Sequence, residues 1–600
     1  MSIVKALPHW DMTVVYPSME SKEFAEGFSR VVLDIDDLAN LFDTHHIMKQ
    51  PSAPALNRDT IQAFETVIQR YNAVLEASRT LSAYIMCFVT TNSHDTLAQA
   101  RLSELQQSTM LLSQLGTRFT AWIGTLDVEA LIEQSPIARE HAFMLKKARL
   151  RAAHLMAPPE ENLASELNLS GGTAWEKLHG DVTSQLTISL ELDGRIQELP
   201  MSMVRNLAFE PDREVRRRAY EAELDGWKRV ALPLAAALNG IKGEVNVLTR
   251  RRDWESPLEA SLLDNNIDRQ ALDAMLTAAR ESFPDFQRYL HAKARALGLS
   301  RLAWYDLFAP VGSDEKVWQY DQGAAFIIQQ FGTFSSRLSG FAARAFRENW
   351  IDAEPREGKQ DGAYCTPLRK DESRVFANYK TSFDGVSTLA HELGHGYHNL
   401  NLAKRTMLQR STPMALAETA SIFCETIIRN AALQKAGRQE QIAILEASLQ
   451  GACQVVVDIT SRFLFEQRVF ERRRQRELSI EELNNLMLES QRETYGEGLD
   501  ENLLHPYMWA MKPHYYSSKL SFYNYPYMFG LLFGLGLYAR YKENEEQFKA
   551  SYDELLSSTG LADAATLAGQ FGIDIRSVEF WRSSLDIVRG DIEQFEALTR

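Results

Sequence analysis

The pentapeptide His391-Glu392-Leu393-Gly394-His395 constrains the fold of its surroundings more than any other stretch of the 600 residues. Apolar residues at Val386, Leu389, Ala390, Leu393 and Tyr397 form one stripe at helical spacing, so the segment reads as a helix with one buried side. Asp384 is placed to cap its first free N–H groups. On that helix His391 and His395 project from one face, a turn apart, and can share one ion at Zn–N distances of about 2.0–2.1 Å. Glu392 is turned by about 100° from His391 and cannot easily chelate with the pair. It can reach a water on the same ion, as a general base must.

Two ligands make a poor zinc site, so a third is expected downstream. Thr412 reads as an N-cap and Pro413 as the first residue of a helix running from Met414 to about Ala436, stopped by Gly437. Glu418 lies in its first turns among small and apolar residues, where an unpaired carboxylate would be costly and a metal ligand would not. Glu425, two turns further along that face, is too distant to chelate the same ion and is expected to support a ligand histidine. His398 shares the face of His391 but sits about 10.5 Å along the axis, out of reach of the ion.

Between Lys519 and Arg540 the chain carries no charge. It holds Asn524, Pro526 and three glycines, which favour a buried helix lining a cavity over a membrane span. Five tyrosines and a histidine crowd the stretch from His514 to Tyr527. His514, Tyr523 and Tyr527 are the candidates to donate hydrogen bonds to a tetrahedral oxyanion.

The rest of the chain reads as mainly α, with helical spacing through 20–50, 58–92, 95–124, 128–155, 211–249, 268–297 and 437–500. Thr187 to Leu199 reads as a hairpin turning at Asp193-Gly194, and short extended pieces are expected near Gly362–Thr366 and Ser373–Lys380. A boundary near 190–205 would divide an N-terminal helical domain, 1–200, from a larger one, 201–600. A net charge of −15 disfavours nucleic acid and anionic membranes as partners. The arginine runs 216–218, 250–252 and 472–474, each flanked by acids, read as solvated helix faces. Four widely spaced cysteines and an N-terminus without an apolar signal core point to the cytoplasm.

These residues resemble the M3 (thimet oligopeptidase-like) zinc metallopeptidases, most closely the oligoendopeptidase F branch. The resemblance runs through Gly358-Lys359, Gly362-Ala363-Tyr364, Asn378-Tyr379 and Ser387 to His395, then Ala417 to Ser421 and the tyrosine-rich stretch after His514. Trp10 to Ser18 and Pro158 to Trp175 extend it towards the N-terminus. It implies a prolate, mainly helical molecule with a small β-sheet beside a deep channel that admits short peptides. It implies one Zn²⁺ per chain on His391, His395 and Glu418, with Glu392 activating water. It also implies that Gly362, Ala363 and Tyr364 belong to an edge strand on which substrate backbone pairs, and it makes Cys365 a point of thiol sensitivity. Two other readings share the motif. A carboxypeptidase would need a basic residue to grip a free C-terminus, and a silent peptide-binding protein would use zinc structurally, although structural sites usually have four protein ligands. The oligomeric state is left open.

Overall fold

Phe24, Val31, Ile35, Leu38 and Phe42 put one buried stripe along the helix Lys22–Thr44, which packs on the helices Arg58–Thr91 and Thr96–Ile123. Each starts at a side-chain cap, in turn Ser21, Asn57 and Asp95. The structure is a computed structural model describing residues 6–50, 54–192, 194–312 and 316–600, and it is mainly helical with two small sheets.

Buried apolar side chains fall into two clusters. The first draws on residues 12–148 and on Leu368, and the second begins at Leu186 and takes in the rest of the chain. The helices Pro158–Ser170 and Gly172–Ser184 precede the hairpin of β1 (Thr187–Leu192) and β2 (Arg195–Pro200). Ile188 of β1 presses on Gly226 in the long helix Arg213–Arg251, and the helix Gly172–Ser184 packs on the same element. A division at residue 200 leaves the hairpin with the first helices; by packing it belongs to the second core. Gly194 has φ +74° at the turn, and Asp193 lies outside the described residues.

The second sheet has the order β3 (Ile351–Asp352), β5 (Glu372–Phe376), β4 (Tyr364–Arg369), with β3 parallel and β4 antiparallel to β5. β5 is buried throughout, whereas β4 forms an edge. This sheet joins the two cores. Leu368 inserts into the N-terminal helices, and the Tyr364 hydroxyl hydrogen-bonds Thr90 Oγ1 at 2.7 Å. Trp10 packs its ring 6.5 Å from Tyr364 and 6.1 Å from Phe376.

The uncharged stretch after Lys519 folds largely into the helix Tyr525–Glu543, whose apolar residues are mostly buried against its neighbours. A different run, Arg438–Arg473, is long and apolar enough to cross a bilayer, and 61% of its most apolar window is buried inside the protein. One arginine run departs from expectation. Arg216 is not solvated but 2% exposed, held by Asp306 at 3.0 Å and by the carbonyls of Glu210 and Pro211.

Lys242 on the long helix and Glu466 on the helix Ile459–Arg473 form an ion pair at 2.6 Å, both almost fully buried. Glu466 Oε2 also accepts from the Phe522 N–H, tying down the loop that leads to the tyrosine-rich helix. Removing one partner of such a pair strands the other charge. Lys242→Met is therefore expected to cost about 3–5 kcal/mol, read as a lowered denaturant midpoint at unchanged slope.

Candidate active site

The helix carrying both histidines spans Phe383–Leu402. Its cap is Ser382, whose hydroxyl accepts from the Gly385 N–H, and not Asp384, which falls in the first turn where a carboxylate still favours the helix dipole. The second expected helix is broken where it matters most. Pro413 is the N-cap of a short turn Met414–Ala417, Glu418 leaves helical geometry at φ −83°, ψ 2°, and a second helix runs Thr419–Leu433. Thr412 does not cap; its hydroxyl pairs with Thr559 instead.

The break aims Glu418 at the histidines. Its Oε2 lies 3.2 Å from His391 Nε2 and 3.4 Å from His395 Nε2, and the three donor atoms all fall within 4.8 Å of one another. Two ligands each about 2.05 Å from a tetrahedral zinc lie about 3.3 Å apart. The donor set therefore suits zinc in chemistry and in spacing. Ser421 Oγ donates to Glu418 Oε2 at 2.6 Å, and on the far side of the His391 ring Nδ1 sits 3.1 Å from Glu425 Oε2. That contact leaves Nε2 facing Glu418, so Glu425 lies where a partner orienting His391 is wanted.

Charge at the cluster is unbalanced towards the carboxylates. Burial works against the ionised Glu418, but hydrogen bonding from His391 and the charges of His395 and His391 hold its carboxyl down to about 2. Burial pushes His395 down to about 4. Glu392 is 6% exposed, its Oε2 has no hydrogen-bond partner, and burial, reinforced by Glu418 and Glu425 against the pull of His391, raises its carboxyl to about 7. A divalent cation among these groups would offset the excess. His398 stays outside the cluster: its Nε2 bonds Thr559 Oγ1 at 2.9 Å in the core.

Close backbone packing makes this convergence possible. A Cβ on Gly394 would lie 2.6 Å from Ser421 Cα and 2.7 Å from the Ala420 carbonyl, so the two helices touch main chain to main chain. From the other side the helix Tyr525–Glu543 rests on Glu418 through Gly530, where a Cβ would come within 2.8 Å of Glu418 Cβ. Tyr527 precedes Gly530 by three residues and so lies on that same face. Its hydroxyl and that of Tyr523 are 2.7 Å apart, which leaves the pair one O–H to donate elsewhere. The His514 ring stacks on Tyr523 with centroids 5.6 Å apart.

His514 is held by a residue that spacing does not reveal. Arg462 donates to Asn524 Oδ1, which turns the Asn524 amide N–H towards His514 Nε2 at 2.7 Å and leaves Nδ1 of that ring to carry the proton. Burial, with the charges of Arg462 and Lys512, lowers His514 to about 2, so the imidazole is neutral. Gly362, at φ +89°, and Ala363 lead into β4, and Tyr364 is its first residue, paired with Phe376 of β5. Asn378 Nδ2 donates to the Gly362 carbonyl at 3.3 Å. Cys365 beside them does not suit a reactive thiol: burial and the nearby Glu392 charge raise it above its ordinary value.

Residues 334–587 match Peptidase family M3, and residues 123–187 match Oligopeptidase F. An oligoendopeptidase F homolog of Lactococcus lactis is 23% identical over 98% of this chain and 97% of its own. Oligopeptidase PepF of Bacillus subtilis is 22% identical over 74% of this chain and 67% of its own. Among solved structures, a protein of Chlamydophila abortus superposes with TM-score 0.83 at 21% identity, covering 98% of both chains. Oligoendopeptidase-F of Enterococcus faecium gives 0.69 at 17% identity, covering 96% of this chain and 99% of that one.

Gly394→Ala places a methyl against backbone that cannot swing aside and is expected to destabilise the protein by about 1–3 kcal/mol. Gly451, in the helix Arg438–Cys453, faces open space, and Gly451→Ala should stabilise by about 0.5–1 kcal/mol through helix propensity. Opposite shifts in thermal midpoint are the signature of contact-limited packing.

Proposed function

This chain belongs to peptidase family M3, in the oligopeptidase F branch, and from that premise we propose that it cleaves internal bonds of short peptides with one zinc ion per chain. The observation that carries the reading is the convergence of His391, His395 and Glu418 on one point with the unpartnered carboxylate of Glu392 beside it. A zinc ion at that point would polarise the scissile carbonyl and acidify a water from about 15.7 towards about 7. Glu392 takes the proton of that water as its oxygen attacks the carbonyl carbon, and returns it to the amide nitrogen as the C–N bond breaks. The oxyanion that develops is met by the free O–H of the Tyr523–Tyr527 pair and by the Nδ1–H of His514. Glu425 keeps His391 in the tautomer that offers Nε2 to the ion. The substrate backbone lies along the segment from Gly362 to Tyr364 at the sheet edge, where an extended peptide can add a strand.

A cytoplasmic setting goes with this reading, supported by four cysteines that are all free thiols, three of them buried. The net charge of −15 supports peptides over nucleic acid as partners.

The test is hydrolysis of internally quenched peptides of varied sequence, with and without a zinc chelator, and the cut position read by mass spectrometry. Internal cuts that the chelator abolishes and zinc restores are expected. Release of single C-terminal residues would turn the reading into a carboxypeptidase. Glu392→Gln should keep its zinc, measured by elemental analysis, and lose about 10²–10⁴-fold in kcat; retained turnover would exclude it as the base. Glu425→Gln should weaken zinc binding by about 10–100-fold in competition with a chelator while the protein stays folded.

A further inference from the structure

A cavity of about 320 Å³ lies beyond His514, between the helix Arg213–Arg251, the turn Trp304–Asp306, the run Arg438–Arg473 and the segment Met508–Lys512. Two hydrogen bonds link it to the donor cluster. Arg462 lines it and bonds Asn524, and Asn524 holds His514. Part of its wall is apolar, with Val204, Leu290, Trp304 and Met508, and part is charged.

The charges almost all have partners. Arg216 bonds Asp306 at 3.0 Å, Arg462 pairs with Asp458, and Arg205 Nε lies 3.3 Å from Glu223 Oε1. Lys512 is the exception. Among the described residues its ammonium makes no hydrogen bond and meets no carboxylate at ion-pair distance, although it faces the same cavity. Burial, with Arg462 and Arg205 nearby and against the pull of Asp458 and Glu223, lowers it to about 7. Arg462 Nε is likewise without a partner. The wall also carries a five-residue π-helical turn, Gln454–Asp458, inserted in the long helical run, and both end residues line the cavity. Such turns interrupt regular hydrogen bonding and recur at functional sites.

A cavity with paired acids and one unpaired, half-buried lysine is built for an anion of modest size. Its link through Arg462 and Asn524 to His514 makes a carboxylate on the peptide itself the fitting anion, and the apolar wall suits the side chain that precedes it. We propose that this cavity receives the C-terminal end of the substrate, the free α-carboxylate pairing with Lys512. This rests on the peptidase reading above and narrows it to peptides cut near a free C-terminus.

The experiment uses three quenched peptides of one sequence: the free acid, the amide, and an amide ending in Asp. For the wild type, kcat/KM for the free acid should exceed that for the plain amide by about tenfold or more, the worth of one charged hydrogen bond. Lys512→Met should bring that ratio to within about twofold, and Lys512→Arg should keep most of it. Equal rates on acid and amide by the wild type would overturn the proposal, as would a Lys512→Met variant that slows both peptides and keeps the ratio. An Asp-amide cut as fast as the free acid would assign the cavity to side-chain carboxylates and overturn the C-terminal assignment. Titration calorimetry of the same peptides on Glu392→Gln measures the acid-to-amide ratio without turnover. A chain that binds acid over amide but cuts neither would defeat the hydrolysis reading and leave the carboxylate site standing.

Discussion

Main-chain contact between helices is the constraint on which the site depends. Imidazole and carboxylate side chains are short, and three of them meet on one ion only if the backbones that carry them nearly touch. Gly394 against Ser421 and Gly530 against Glu418 supply those contacts. The break at Glu418 then turns its carboxylate inward by 3.2 and 3.4 Å approaches to the two histidines. A methyl at Gly394 must push the backbone of Ala420 and Ser421, whereas one at Gly530 meets the Cβ and Cγ of Glu418 and displaces the side chain that carries the carboxylate.

The protein also buries several charged side chains, and their arrangement separates support from chemistry. Lys242 with Glu466 and Arg216 with Asp306 are closed pairs between elements, costly to break, whereas Arg462 pairs with Asp458 one turn away on the same helical run. Glu392, buried, and Lys512, half-buried, lack such closure. An unclosed buried charge is tolerated where a ligand completes it. One lies at the cluster of His391, His395 and Glu418 and the other lines the cavity of Arg462, which the hydrogen bonds Arg462–Asn524 and Asn524–His514 connect to the tyrosine-rich stretch.

Local patterns read well where the responsible interaction is itself local. Helical spacing identified the histidine helix, and the choice of Glu418 and Glu425 followed from their positions along the next one. The hairpin was visible because its turn chemistry is confined to a few residues. Caps were misjudged by two residues at 384, since Ser382 and Asp384 are both good caps and only the path of the preceding strand selects between them. Pro158-Pro159 and Gly171-Gly172 punctuate the region 157–172, where proline stands at a helix start and glycine at a helix junction without abolishing the helices. Arg216 read as solvated because its neighbours are charged, and only the approach of Asp306, ninety residues away, buries it.

By itself the sequence determined the candidate ligands, the candidate base between them, the predominance of helix and the family likeness, because each resides in residue identity or in spacing within one element. Tertiary structure decided the rest. It broke the second helix at Glu418, selected Asn524 to fix the tautomer of His514, joined the edge strand to the N-terminal helices through Tyr364 and Leu368, and left Lys512 alone in a cavity of paired charges. These outcomes depend on which atoms meet across tens to hundreds of residues, and no periodicity along a single chain encodes that distance.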